Sequence, residues 1–405
     1  MQFGRGVFLL AMLTAAVALP VRADTVRMSV SYYSANTGPY FEKMAADFHA
    51  ANPSIEVKIE VVNWADLLQK LQTDISGGAN PDLSIIGTRW LPDFVKDGIA
   101  EPLDGYITPE MRARFIPPFL KPGQLNGKTY GLPIAASSRA MYYNKDMLTK
   151  AGFPNGPATW DDVAAASEKI KADGGFGFGI QARGIEVDVY YYYALWAYGG
   201  DVVGPDNKAA FASPAGVQAL TLYKSLIDRG LTETGVTSYN AQDIQALFKQ
   251  GRLGMVMTSP ILIGQIAREA PNLNYGIAPI PKGTVSSTYA VTDSVVMFAN
   301  SKVKPSAWKF LDFLFTPGPR VAFTKGESFL PTTIEEAKDP YFTSNEKLKV
   351  FVSLLPSAHF APTVTGWEDT AKAVTDALQA AYLGNLAPEA ALRLAAEKAD
   401  QSLGK

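Results

Sequence analysis

The amino-acid sequence predicts a two-domain α/β protein with parallel, doubly wound sheets. Strand-like and helix-like segments alternate near the start of the predicted mature chain, which is the order of a parallel sheet covered by helices. The chain is also long: removal of a predicted 23-residue signal from 405 residues leaves 382. That length exceeds what a single hydrophobic core usually supports, so we expect two domains.

The first segments of the mature chain have clear hydrophobic periodicities. Apolar residues alternate with polar ones in two segments, recur at helical spacing in two others, and form one short apolar run. In chain order they predict a strand at 26–30, a helix at 41–48, a strand at 55–61, a helix at 64–75 and a strand at 83–86. Because ligands of such sheets bind beyond the carboxyl ends of the strands, the loops 33–38 and 87–90 are candidate binding loops.

The second half of the chain has the same α/β character without repeating the sequence. Thr159 and Asp162 have the spacing of a capping box at the start of a helix, and Ser213 followed by Pro214 is typical of another helix start. Further helices are predicted at 305–315, 367–382 and 388–403, and strands at 175–181, 254–257 and 291–298.

The amino terminus has the features of a secretory signal. Arg5 precedes an apolar run at 7–19, and Val21-Arg22-Ala23 resembles a small-residue cleavage site. The run has 13 residues, whereas a membrane-spanning helix needs about 20. We therefore expect residues 1–23 to be a signal peptide and the mature chain to reach the periplasm.

Charge and cysteine content narrow the range of partners. Removal of Arg5 and Arg22 leaves 35 basic residues against 39 acidic ones, a formal charge of −4, which gives no reason to expect nucleic acid or an anionic membrane. Cysteine is absent from the sequence. Disulfides, cysteine nucleophiles, thiolate metal sites and a lipid-modified cysteine are therefore excluded, and we expect a protein without a lipid anchor.

A series of short segments resembles one known family in the same order along the chain. They are 75–83 (ISGGANPDL), 131–133 (GLP), 142–148 (YYNKDML), 151–154 (AGFP), 159–162 (TWDD), 248–252 (FKQGR) before Met255, 308–311 (WKFL) and Leu330-Pro331. Each segment alone is a weak signal, but the ordered set covers nearly the whole mature chain. It resembles extracellular solute-binding family 1, the carbohydrate-binding proteins of ATP-driven importers, which includes maltodextrin-binding proteins.

This resemblance implies a fold of two doubly wound α/β lobes joined by hinge strands, the periplasmic binding protein type 2 fold. It assigns 24–132 and 287–330 to the first lobe and 133–286 and 331–405 to the second. The ligand cleft is expected between the lobes, which close around ligand.

The resemblance also implies the function. We expect the periplasmic component of an ABC-type importer, a monomer that captures a mono- or disaccharide, a polyol or a glycoside and delivers it to the membrane permease and its ATPase. No catalytic residue, metal or cofactor is expected.

Sugar binding needs polar groups for the hydroxyls and aromatic rings for the C–H faces. By resemblance, Ser137 and Arg139 lie where relatives place polar ligand contacts, and Trp367 lies where they place a stacking ring. The aromatic density of 190–198 adds Tyr193 and Trp196. The predicted ligand-binding residues are Tyr33, Asn36, Trp64, Thr88, Arg89, Ser137, Arg139, Gln181, Arg183, Tyr193, Trp196, Ser259, Thr292, Asp293 and Trp367.

Each of these residue types also has a structural interpretation. The aromatic residues are equally suited to core packing, Arg139 to a hinge ion pair and Asp293 to a turn. The sequence at 258–261 (TSPI) lacks the glycine and aromatic residue of many relatives, which argues against a long oligosaccharide. If Arg89, Arg139 and Arg183 converge, they would favour an anionic ligand.

Two other functions stay open at the level of sequence. Two carboxylates that meet in space suffice for glycoside hydrolysis, so an exported glycosidase is one alternative. A binding protein that serves a signalling receptor is the other. Only His49 and His359 are available as histidines, and no nucleophile elbow, His-Glu-x-x-His or complete P-loop is present. The segment 177–182 matches Gly-x-Gly-x-x-Ala but lies in a predicted strand, unlike a dinucleotide site.

Overall fold

The computed structural model describes residues 23–404; the predicted signal peptide, apart from Ala23, lies outside them. The strands are β1 (Asp24–Tyr32), β2 (Ile55–Asn63), β3 (Leu83–Gly87), β4 (Gln124–Leu125), β5 (Lys128–Thr129), β6 (Gly131–Ser138), β7 (Ala140–Asn144), β8 (Phe176–Phe178), β9 (Leu253–Thr258), β10 (Tyr275–Ala278), β11 (Thr288–Met297) and β12 (Ala358–His359).

The helices cover the faces of the sheets and pack against one another. They are α1 (Thr37–Ala51), α2 (Trp64–Ser76), α3 (Leu91–Lys96), α4 (Pro109–Arg112), α5 (Pro117–Leu120), α6 (Lys145–Lys150), α7 (Trp160–Ala172), α8 (Val187–Ala197), α9 (Pro214–Asp228), α10 (Ala241–Lys249), α11 (Ile261–Glu269), α12 (Lys304–Leu314), α13 (Pro317–Glu327), α14 (Pro340–Ser344), α15 (Glu346–Leu354), α16 (Trp367–Tyr382) and α17 (Pro388–Ala399).

The sheet of the first lobe has the predicted parallel start. Its order is β12-β11-β3-β1-β2, with β6 also paired to β11. Strands β2, β1 and β3 are parallel, and β11 runs antiparallel to β3. Alternation in the sequence explains the layer packing, because Val26, Met28 and Val30 are buried against the phenylalanines of α1, α12 and α13.

The sheet of the second lobe is smaller and mixed. Its order is β10-β7-β9-β8, in which only β8 and β9 are parallel. The predicted strand at 175–181 shortens to β8 at 176–178. Beyond it, the Ile180 amide donates to the Glu233 carboxylate instead of a neighbouring strand. Helices α7, α8, α9, α16 and α17 enclose the largest hydrophobic core.

Consecutive strands β6 and β7 form a link between the lobes. Strand β6 pairs with β11 in the first sheet and continues through Arg139 into β7 of the second. The two-lobe α/β fold is thereby confirmed, and the lobe boundaries at 132/133, 286/287 and 330/331 stay a prediction. In the register of β6 with β11, an irregularity lies between Asp293 and Ser294.

Two features of residues 23–404 bear on function. No helix there is both long enough and apolar enough to span a membrane. The same residues hold no group of three or more His, Cys, Asp or Glu side chains that could bind a metal ion.

Candidate functional site

A cavity of about 320 Å³ lies between the lobes. Its walls come from the β1–α1 loop, the start of α2, the link between β6 and β7, and helices α8, α10 and α11. The predicted site residues that line it are Tyr33, Trp64, Ser137, Arg139, Gln181, Tyr193, Ser259 and Asp293. The structure therefore brings eight of the fifteen predicted residues to one cavity.

Asp293 lines the cavity from the sheet of the first lobe. It lies within strand β11 rather than in a turn, and the Tyr33 hydroxyl donates to its Oδ2 at 2.7 Å. The Tyr33 ring is held edge-on against Phe329, with ring centroids 4.8 Å apart. Only 6% of Asp293 is exposed, and its Oδ1 has no hydrogen-bond partner among the described residues.

Burial of Asp293 changes its protonation. Loss of water raises the pKa of its carboxyl from the ordinary 3.8 to about 7, although the hydrogen bond from Tyr33 opposes the rise. Burial therefore keeps the Asp293 carboxyl protonated at pH values where an exposed carboxyl is already ionised.

Arg139, which is buried, and Glu186, which is half-buried, form an ion pair on another wall of the cavity. Arg139 Nη2 donates to Glu186 Oε2 at 3.0 Å and to Oε1 at 3.2 Å, and Nη1 donates to Ser137 Oγ at 2.7 Å. The expected hinge ion pair of Arg139 is therefore present, and the same side chain lines the cavity. Glu186 precedes α8 in the left-handed backbone region, with φ of 62°, a conformation that costs a non-glycine residue energy and is found at functional sites.

Helix α10 presents a polar wall that sequence reasoning missed. Gln242, Gln245 and Lys249 line the cavity together, since residues three, four and seven apart share one helix face. Gln245 Nε2 donates to Thr258 Oγ1 at 3.1 Å, and Lys249 Nζ pairs with Glu269 Oε2 at 2.5 Å. The spacing of these polar residues was the available signal. For Glu186, the sequence offered no signal of a site residue beyond its position before an aromatic helix.

Thr88, Arg89 and Thr292 lie beside the main cavity instead of lining it. They border a neighbouring space of about 30 Å³, which is enough for about one water molecule. The Thr292 hydroxyl donates to Thr88 Oγ1 at 3.1 Å, and Thr88 Oγ1 lies 2.8 Å from Ser294 Oγ. These hydroxyls satisfy one another within the sheet.

Arg89 bridges to two helices of the second lobe. Its Nε donates to Glu368 Oε1 at 2.5 Å, and its Nη1 donates to Asp188 Oδ2 at 3.4 Å. The Asp188 side chain is only 2% exposed. Burial raises the pKa of Asp188 to about 6, against the lowering effect of Arg89.

The structure does not bring the remaining four predicted residues to either cavity. Asn36 Nδ2 donates to the Gly326 carbonyl at 2.8 Å, and Arg183 pairs with Asp243 at the surface, 3.1 Å apart. Trp196 and Trp367 lie in the core. The two indoles are 2% and 1% exposed, respectively.

The core positions of the two tryptophans have a common physical reason. Every residue of α8 is buried, so its rings face in all directions, and Trp196 stacks on His359 with centroids 4.7 Å apart. Trp367 begins α16 and packs near Tyr192, with centroids 6.2 Å apart. Their structural interpretation replaces the ligand contact expected from sequence.

The three arginines do not converge. Arg89, Arg139 and Arg183 each pair with a different acidic group, so the condition for an anionic ligand is not met.

The chain matches the model of one protein family over most of its length. That family is the bacterial extracellular solute-binding protein, matched over residues 34–321. The chain belongs to this family. This solute-binding protein is 56% identical over 394 residues to a putative binding protein of Brucella abortus (strain 2308), and the match covers 96% of each chain. It is also 26% identical over 332 residues to the maltotriose-binding protein of Pyrococcus abyssi (strain GE5 / Orsay), which covers 80% of this chain and 70% of the relative.

A solved structure agrees with the fold. It is an ABC transporter solute-binding protein from Thermotoga lettingae TMO, bound with alpha-D-tagatose, with a TM-score of 0.87 and 24% sequence identity. The match covers 94% of this chain and 99% of that one. Such a likeness supports the type 2 periplasmic binding protein architecture of this solute-binding protein.

Asp293→Asn is expected to stabilise the empty solute-binding protein at pH 8. A carboxyl whose folded pKa is raised gives a stabilising contribution that is complete below the unfolded pKa of 3.8 and is lost as pH rises through about 7. Removing the charge should therefore raise the free energy of unfolding by about 1 to 3 kcal/mol at pH 8 and by much less at pH 4. Urea unfolding at both pH values measures this difference. An equal effect at pH 4 and pH 8 would contradict the assignment.

Proposed function

We propose that this solute-binding protein captures a carbohydrate or carbohydrate-like ligand between its lobes and delivers it to the membrane permease of an ABC-type importer. The observation that carries the proposal is the cavity itself, because one cleft between two lobes collects aromatic rings and polar side chains from both. Its volume of about 320 Å³ lies at the small end of ligand pockets. A mono- or disaccharide, a polyol or a small glycoside therefore suits it better than a long oligosaccharide.

The walls have both surfaces that a sugar needs. Trp64 and Tyr33 form an aromatic corner, with ring centroids 6.2 Å apart and planes tilted by 30°. Rings of this kind pack against the C–H faces of a sugar. Hydrogen-bonding groups come from Ser137, Gln242 and Gln245, which also line the cavity and supply donors and acceptors for hydroxyls.

Names of relatives support the same ligand class. The Pyrococcus abyssi relative is a maltotriose-binding protein, and a Bacillus subtilis (strain 168) relative, 23% identical over 359 residues, is a galactooligosaccharide-binding protein.

We propose that the mature protein acts in the periplasm as a monomer, without lipid anchor, cofactor or nucleic acid partner.

The pairing of Glu186 fits a binding role better than hydrolysis. Glu186 accepts hydrogen bonds from Arg139 at both carboxylate oxygens, which leaves it poorly placed to attack a sugar or to activate water. Incubation with the bound sugar, followed by mass spectrometry, separates the two functions. Recovery of intact ligand is the expected result, and released cleavage products would establish the glycosidase.

A thermal-shift screen of sugars and polyols tests the ligand class. Binding to the folded state alone stabilises it by about 2.7 kcal/mol when free ligand is 100 times the dissociation constant. At least one mono- or disaccharide is therefore expected to raise the melting temperature. A panel in which only amino acids or peptides stabilise the protein would refute the carbohydrate class.

Ligand binding is also expected to compact the protein. The lobes are linked by few strands and enclose the cavity, an arrangement that permits hinge closure. Small-angle scattering should give a smaller radius of gyration at saturating ligand than without it. An unchanged radius, with binding verified by calorimetry, would rule out closure as the mode of capture.

A neighbouring permease and ATPase would favour an importer over a signalling receptor. Deletion of the protein should then abolish uptake of the ligand by cells, whereas a receptor partner would leave uptake intact and remove only the response.

A further inference from the structure

The charged side chains that line the cavity balance one another with a single exception. They are Arg139, Glu186, Lys249, Glu269 and Asp293. Arg139 pairs with Glu186 at 3.0 Å, and Lys249 pairs with Glu269 at 2.5 Å. Asp293 has no cationic partner among the described residues. When Asp293 is ionised, the walls therefore carry one negative charge in excess.

The described side chains around Asp293 do not include an unpaired cation that could neutralise it. The Tyr33 hydroxyl, from the β1–α1 loop, is a neutral donor to Oδ2. Arg139, before β7, and Glu186, before α8, act on Asp293 through space with opposite signs. Arg89 borders the small space beside Asp293, but Asp188 and Glu368 already bind its guanidinium.

One carboxylate oxygen of Asp293 lacks a hydrogen-bond donor among the described residues. Asp293 Oδ1 is buried and has no partner within residues 23–404, and a buried carboxylate is stable only when it is paired or hydrogen-bonded. A neutral hydroxyl would satisfy the oxygen but leave the excess charge. A carboxylated sugar would add a second negative charge, and both cavity cations are already paired.

We propose that the physiological ligand is an aminated sugar whose protonated amino group pairs with Asp293. This inference rests on the proposed function and narrows its ligand class. The ammonium group cancels the negative charge of the ionised carboxylate, and a small rotation of the Asp293 side chain brings the buried Oδ1 within its reach. The glutamines and serines of the walls hold the hydroxyls. The expected preference for the aminated sugar over the neutral one is electrostatic and depends on the Asp293 carboxylate.

The pairing couples binding to pH. An ammonium group binds the ionised carboxylate, so the affinity should fall as pH drops below the pKa of about 7 that burial gives Asp293. At pH 6, binding should release a proton from Asp293. Titrations in two buffers with different ionisation enthalpies measure that release without any variant.

Matched sugars test the inference directly. The probes are D-glucosamine, D-glucose and D-glucuronate, with the corresponding galactose and mannose series, titrated calorimetrically into the mature protein at pH 7. In the series that binds best, the amino sugar should bind at least tenfold more tightly than its neutral counterpart. The sugar acid should bind most weakly.

Two variants locate the preference. Asp293→Asn should bring the affinities of the amino and neutral sugars to within about threefold, since the amide keeps the shape and loses the charge. Glu42→Gln removes one exposed negative charge from α1 and should keep the tenfold preference. Thermal melts verify that both variants are folded.

The outcomes separate this inference from the proposed function. If the neutral sugar or the sugar acid binds most tightly, the cationic ligand is excluded and the carbohydrate-binding role stands. If no member of any series binds, the aminated monosaccharide is excluded, and the wider thermal-shift screen decides the carbohydrate-binding role. A tenfold preference that persists in Asp293→Asn would overturn the role of Asp293, as would a failure to release a proton at pH 6.

Discussion

Trp367→Ala is expected to lower the free energy of unfolding by about 3 to 5 kcal/mol, the cost of removing a large aromatic side chain from a packed core. The Trp367 indole is 1% exposed and lies in the largest hydrophobic core, between α16 and the aromatic side chains of α8. Urea unfolding of the empty protein measures the loss. Because Trp367 does not line the cavity, the folded fraction should keep its affinity for the ligand found by screening.

Trp64→Ala is the matched control for this experiment. Trp64 lines the cavity and stacks on Trp90 with centroids 5.2 Å apart. Its loss should weaken ligand binding by about 1 to 3 kcal/mol, the value of burying a large apolar side chain. If Trp367→Ala instead weakened binding by that amount with unchanged stability, the stacking role expected from sequence would be restored.

Periodicity and capping predicted most secondary structure because those signals are local. The capping box at Thr159 and Asp162 is present at the start of α7. Helix α16 spans 367–382, as its apolar spacing indicated. Strand β8 is shorter than predicted, because a glycine-containing apolar run does not specify where its backbone finds partners.

The site was predicted only in part, for reasons that are tertiary. Four consecutive tyrosines on a helix face different directions, and only the packing of α8 decides that Tyr193 faces the cavity while Tyr192 faces Trp367. Likewise, the sequence marked Arg89 and Arg139 as polar contacts. Their acidic partners are distant along the chain, so which charges remain free depends on the fold.

Arg89→Ala is expected to lower the free energy of unfolding by about 3 to 5 kcal/mol at pH 8, the cost of leaving a buried charge unpaired. Arg89 is the only ion-pair partner of Asp188 among the described residues, and it also donates two hydrogen bonds to Glu368. The loss should shrink at low pH. Burial already raises the pKa of Asp188 to about 6, and without Arg89 the carboxyl will be protonated, and therefore uncharged, at pH 5.

The double variant Arg89→Met with Asp188→Asn tests whether the charge itself causes the loss. Replacing both members of a buried pair by neutral groups of similar size is often close to neutral. Glu368 loses its partner as well, but its side chain is 25% exposed and keeps contact with water, so the double variant should recover most of the stability at pH 8. Scattering of the empty Arg89→Ala protein serves as a second readout, because Arg89 follows β3 in the first lobe whereas Asp188 and Glu368 belong to α8 and α16 of the second. A loss below about 1 kcal/mol at pH 8, with no dependence on pH and no change in the radius of gyration, would mean that the bridge contributes nothing to holding the lobes together.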